Sequence, residues 1–150
     1  MFKELLEQTF IQENVNIVKS DHFKDVQVIC IIFSAYWCLP GQILNSRLLE
    51  MYKEVNKVNK KLEIIYVSFD EDKAQFDEDI SKMPWISLPF KSIFSQRLIK
   101  DMKIITIPNL IAFSNNGLEI SKKAREEVIS LGKKAFDNWV ILLNPSTEST

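Results

Sequence analysis

The sequence predicts an α/β domain: a central mixed sheet of about five strands, flanked by helices on both faces. Three observations carry this. Val26 to Phe33 and Leu62 to Phe69 are apolar runs rich in β-branched residues, and the amphipathic stretch between them has the length of a crossover helix. Such a strand, helix, strand unit has parallel strands and a right-handed connection. Asn115-Asn116-Gly117 is a tight-turn signal, so the apolar stretches on either side of it form an antiparallel pair. A last amphipathic pattern closes the domain.

In chain order, Phe2, Leu5, Leu6 and Phe10 recur at helical spacing and predict a short helix. Asn14 to Val18 reads as a short first strand, and Ser20-Asp21-His22 as a turn. His22, the one histidine, reads as a surface loop residue rather than a base or a ligand. After the strand Val26 to Phe33, the residues Leu44, Leu48, Met51, Tyr52, Val55 and Val58 fall three or four apart. With charged residues between them they predict a helix of about 18 residues ending near Asn59. Leu62 to Phe69 is the second buried strand.

Asp70-Glu71-Asp72 and Asp77-Glu78-Asp79 have the acidity of a calcium loop but not its order. An EF-hand starting at Asp70 needs glycine where Gln75 stands and glutamate where Ser81 stands, so the run reads as a solvated helix with acidic residues favouring its N-terminal turn. Pro84 and Pro89 forbid a continuous helix over residues 81–90. Phe94 to Met102 predicts a short helix. Ile104 to Phe113 predicts a strand interrupted by Pro108, which must therefore sit at an edge, a bulge or a strand start. Leu118 to Ile120 completes the hairpin, and Ala124 to Leu142 predicts a closing helix with Val128, Leu131, Ala135, Trp139 and Leu142 on one face. Residues 1–143 are expected to form one domain, and residues 144–150 a disordered polar tail.

Composition narrows the function. A net charge of −1, from 19 basic and 20 acidic residues, leaves no footprint for nucleic acid. The longest apolar run, Val28 to Phe33, is too short to span a bilayer, and the N-terminus lacks the basic leader and apolar core of a secretory signal. The cytoplasm is the expected compartment, without membrane attachment. Two cysteines and one histidine are too few for a disulfide framework or a zinc site, so neither metal nor cofactor is expected. Cys30 and Cys38 lie eight positions apart along a chain that rises about 3.3 Å per strand residue, too far for a disulfide. Cys30 is read as a small buried hydrophobe of the central strand.

Cys38 is different, because it stands at the joint between the strand and the long helix. Peptide N–H groups without partners and the helix dipole favour a thiolate there, and thiols so placed can fall from about 8.5 to roughly 3.5–7.5. Pro40 fits the first helical turn, where it forfeits no hydrogen bond.

The string Phe33-Ser34-Ala35-Tyr36-Trp37-Cys38-Leu39-Pro40-Gly41 resembles the active-site segment of the thioredoxin superfamily, above all its tryparedoxin and nucleoredoxin branch, which carries Trp-Cys-x-x-Cys there. Met83-Pro84-Trp85 followed by Leu88-Pro89-Phe90 is similar to a motif of the same branch that ordinary thioredoxins lack, and Ile107-Pro108 matches the place of the superfamily's cis-proline. The resemblance covers about residues 20 to 140. It implies a thioredoxin fold, with Cys38 as the nucleophile and Trp37, Leu39, Pro40, Ile107 and Pro108 as the substrate-binding surface. It also implies a monomer whose partners are protein thiols and disulfides or glutathione-like thiols.

The chain departs from the branch where Gly41 stands in place of the second cysteine. Thiol–disulfide exchange needs a second thiolate for release, so a self-contained dithiol reductase is excluded. Ile32 stands where many thioredoxins bury an acid, an absence the branch shares. Two classes remain: a monothiol oxidoreductase centred on Cys38, and a redox-inactive domain that keeps the fold for binding or scaffolding.

Overall fold

The computed structural model describes residues 1–13, 15–17 and 21–144. Asn14, Val18 and Ser20 of the expected first strand and turn, and the tail 145–150, lie outside the described residues. The elements run α1 (Phe2–Leu6), β1 (Phe10–Gln12), β2 (Val15–Ile17), β3 (Val28–Ser34), α2 (Leu39–Val55), β4 (Leu62–Ser68) and α3 (Lys73–Ile80). They continue with β5 (Ile86–Ser87), α4 (Ile93–Asp101), β6 (Asn109–Ser114), β7 (Glu119–Ser121), α5 (Ala124–Leu131) and α6 (Lys133–Leu143).

The chain folds as an α/β thioredoxin fold with one mixed sheet in the order β2-β1-β5-β4-β3-β6-β7. Its centre is the expected parallel pair, with Val28 opposite Leu62 and Ser34 opposite Ser68. β6 lies antiparallel on the other side of β3, and β7 antiparallel on β6. The sheet has seven strands where about five were expected, because β1 and β5 are paired as well. Two or three residues are too few to show an alternation, so pairing with neighbours and not local pattern makes them strands. β1 begins at Phe10, which the helical spacing placed in the first helix; that helix ends at Leu6.

Alternation along β3 sends side chains into two apolar layers. Val28, Cys30 and Ile32 pack with Leu44, Leu48 and Met51 of α2, Phe76 and Ile80 of α3, and Val128, Phe136 and Trp139 of α5 and α6. Ile29, Ile31 and Phe33 pack on the opposite face with Leu5 of α1 and Phe94 and Leu98 of α4. Cys30 is therefore core, as expected, and burial, with the charge of Glu127, pushes its thiol up. It should stay unlabelled by iodoacetamide in the native protein while reacting in urea; rapid native labelling would place it elsewhere.

Three element ends differ from expectation for local reasons. α2 stops at Val55 instead of near Asn59, because the Asn56 side chain turns to the next strand. Its Oδ1 accepts from the Lys61 and Leu62 N–H groups at 2.8 and 3.0 Å, and its Nδ2 donates to the Leu62 carbonyl at 2.9 Å. Val58, expected on the apolar face, is left exposed. The closing helix is two helices, since Gly132 adopts φ +58° between α5 and α6, a conformation that ends one and admits the other only because no Cβ is present. β6 begins at Asn109, so Pro108 takes the strand-start option. The Ile107-Pro108 peptide is cis. Among the described residues no helix is long and apolar enough to cross a membrane.

Candidate active site

Because β3 and β4 are parallel and in register, their carboxyl ends, Ser34 and Ser68, finish side by side. The loops that follow them meet at one edge of the sheet, the place where open α/β folds build sites. The Phe69 N–H donates to the Ser34 carbonyl at 2.8 Å, tying the two loops at their roots. Antiparallel pairing of Phe33 with Asn109 brings Pro108 to the same end, next to Ser34.

Ala35 to Cys38 make a turn closed by the Cys38 N–H on the Ala35 carbonyl at 3.1 Å. Cys38 is the N-cap of α2, with φ −85° and ψ 101°, and Pro40 sits in the first turn. The sequence thus places the cysteine correctly at the helix start. Its side chain accepts no capping bond, and the residue is only 6% exposed. Its neighbours stand out instead: Trp37 is 60% and Leu39 71% exposed, with Pro40 also at the surface. Ile107 is half-buried and Pro108 buried. Arg125 Nη1 donates to the Pro108 carbonyl at 3.2 Å, so α5 holds the proline from behind.

Pattern reading missed the carboxylates that support this loop. Asp70, expected in a solvated run, is 2% exposed, and its two oxygens accept the Tyr36 N–H at 3.0 and 3.1 Å. Ser68 Oγ donates to it at 2.8 Å. Burial lifts the Asp70 carboxyl above the usual aspartate range, more than the Ser68 hydroxyl and the Tyr36 N–H lower it. Ile32 leaves β3 without an acid, and the acid of this site comes from the loop after β4. Asp79, the other end of the acidic run, is also buried: it accepts from Gln42 Nε2 at 3.0 Å and from the Tyr66 hydroxyl at 2.7 Å. Gln42 Nε2 also donates to the Tyr36 carbonyl at 3.0 Å. The signal available for Asp70 was its place two residues past a parallel strand; nothing local marks Asp79.

Gly41 is buried one helical turn behind Cys38. A Cβ built on it would stand 2.1 Å from Ser34 Oγ and 3.4 Å from Cys38 Sγ. His22 is not a free surface histidine: its Nε2 lies 2.5 Å from the fully buried Glu63, away from the cysteine on another part of the sheet.

A cysteine capping a helix at the carboxyl end of the central strands, with a cis-proline beside that strand end, defines a class. The chain belongs to the thioredoxin-like family, which matches residues 25–119. Within it the similarity runs to the nucleoredoxin and tryparedoxin branch. The chain is 37% identical over 110 residues to probable nucleoredoxin 1 of Arabidopsis thaliana, covering 73% of this chain and 19% of that protein. It therefore spans a small part of that curated relative. Tryparedoxin I of Leishmania major superposes with a TM-score of 0.74 at 28% identity, over 85% of this chain and 89% of that one. A tryparedoxin II complexed with glutathionylspermidine shares the fold at 21% identity, with a TM-score of 0.74 over 87% of this chain and 93% of that one.

Proposed function

We propose that this domain is a thiol–disulfide oxidoreductase of monothiol type, in which Cys38 forms mixed disulfides with protein thiols or with a glutathione-like thiol. What supports the reading is Cys38 at the N-cap of α2 together with a glycine at position 41, where the resemblance of the active-site segment would put the branch's second cysteine. Cys30, the other cysteine, is buried in the core on β3 and is not available as a replacement. The Cys38 thiolate attacks a disulfide R–S–S–R, forms Cys38–S–S–R and expels R–S⁻. Release then needs an external thiolate, which attacks the R sulfur and returns the electron pair to Cys38. Trp37, Leu39, Pro40, Ile107 and Pro108 form the surface against which the partner lies, and a reducing compartment such as the cytoplasm supplies the releasing thiol. A relative of the same fold complexed with glutathionylspermidine makes that class of thiol the first probe to try.

The burial of Cys38 favours a second reading, a binding module that keeps the fold without the chemistry. Incubation with glutathione disulfide separates the two. The monothiol reading expects a single 1:1 adduct on Cys38 by mass spectrometry, stable until free thiol is added and absent in Cys38→Ser. A native protein that takes up no glutathione overturns it in favour of the binding module.

A further inference from the structure

Among the described residues, three buried side-chain polar atoms have no hydrogen-bond partner: Ser34 Oγ, Asn45 Oδ1 and Trp85 Nε1. The last two belong to residues that line a cavity of about 170 Å³ behind α2. Ser34 Oγ is the one beside the cysteine. Ser34 ends β3 and is 1% exposed; its carbonyl accepts the Phe69 N–H, while its hydroxyl has no partner. Burying a hydroxyl unmet destabilises the fold in a way that alanine at the same place would not, so the group asks for an account.

The geometry of Gly41 supplies one. The point where a residue 41 side chain would begin lies 2.1 Å from Ser34 Oγ and 3.4 Å from Cys38 Sγ. Hydroxyl and sulfur therefore border the same small space, which is open only because residue 41 has no side chain. Cys38 receives no capping bond from the helix it starts, so its sulfur has a place for a donor.

We propose that Ser34 is a positioning residue for the Cys38 thiolate, turning its O–H across the space above Gly41 to donate to Sγ whenever the sulfur is charged. The inference rests on the monothiol reading and says how one thiol manages both steps. In release, the external thiolate bonds to the partner's sulfur, the bond to Cys38 breaks, and the electron pair leaves on Sγ. Ser34 keeps its proton throughout, and its hydroxyl swings from its unpartnered position to another staggered one to reach the sulfur. A donor to a charged acceptor in a water-poor site is among the stronger hydrogen bonds, and it is strongest when the sulfur is attacking or leaving.

The test is the rate of Cys38 alkylation by iodoacetamide across pH, with the labelled peptide identified by mass spectrometry. In Ser34→Ala the rate at neutral pH should fall about tenfold, the thiolate being less favoured, and should meet the parent rate at alkaline pH where every thiol is ionised. Gly41→Ala, whose methyl takes the hydroxyl's space, should give a similar fall, and the double variant no more than either single one. A Ser34→Ala profile that superimposes on the parent's overturns the inference, as does a loss of equal size at every pH, which is a packing effect. The glutathione adduct is scored separately: its absence in the parent strikes the monothiol reading, whereas its presence with an unchanged Ser34→Ala profile strikes only the role of Ser34.

Discussion

Replacing Gly41 with cysteine is expected to convert a stalled mixed disulfide into a catalytic cycle. The new Cβ would stand 3.4 Å from Cys38 Sγ, so a thiol on it reaches the sulfur without movement of the helix. It would also stand 2.1 Å from Ser34 Oγ, which must leave. That atom ends a short side chain with other staggered positions, and Ser34 Cβ is at 3.4 Å, ordinary contact, so the backbone can stay. An internal thiol replaces a bimolecular release by a unimolecular one, which should raise turnover of a disulfide substrate at least about a hundredfold at low external thiol. Adding Ser34→Ala removes the displaced hydroxyl and should ease closure of the new disulfide. If Gly41→Cys keeps two free thiols in oxidised glutathione and reduces nothing, the site is not a thioredoxin site short of one thiol.

The largest expected loss of stability follows from Glu63→Ala. This β4 carboxylate is fully buried and accepts from Lys60 Nζ at 3.1 Å, the Tyr52 hydroxyl at 3.0 Å and the Ile64 N–H at 2.9 Å, with His22 Nε2 at 2.5 Å. Burial alone would raise its carboxyl, but the His22 hydrogen bond, the Lys60 charge and the Ile64 N–H outweigh it and hold the group below the ordinary glutamate range. Removing it leaves a buried phenol and an imidazole without their acceptor, a loss of about 3–5 kcal/mol. The sign with pH follows from the depressed value. The contribution is complete above the ordinary range near 4.5 and is lost as pH falls through the folded-state value, where the native protein must take up the proton. Urea midpoints measured from pH 7 downward should therefore drop in the parent and drop less in Glu63→Gln. Parallel curves for the two would remove Glu63 from the acid limb.

Much of the fold was legible because long elements carry their own period. The seven-residue strands β3 and β4 announce themselves as apolar runs rich in β-branched residues, the helix between them through apolar positions three or four apart with charged residues between, and the turn at Asn115-Asn116-Gly117 fixes the hairpin. β1 and β5 did not, since an edge pair of two or three residues is created by its neighbours. Gly132 carried a readable signal within the closing pattern, but a glycine in an amphipathic run is compatible with one helix until its φ is known. The site divides the same way. Cys38 and Pro108 are visible because a cysteine at a strand–helix joint and a proline in a strand pattern are locally odd. Asp70, Asp79 and Ser34 are ordinary residue types in ordinary company, and only the meeting of two loops makes them part of a site. The acidic run shows how pattern misleads: of its six carboxylates, two are buried under the Cys38 loop and one, Asp72, caps α3 through the Gln75 N–H.

Tyr36 is gripped at both of its peptide groups, its N–H by Asp70 and its carbonyl by Gln42, two residues before the cysteine. A loop fastened in this way has little conformational freedom left to lose when a partner arrives. The entropic cost of forming the encounter then falls on the partner, and a flexible peptide or a small thiol gives up more order than this domain does. Discrimination among partners then becomes a matter of shape, since a partner already held in the form that fits a fixed sulfur gives up the least order on arrival.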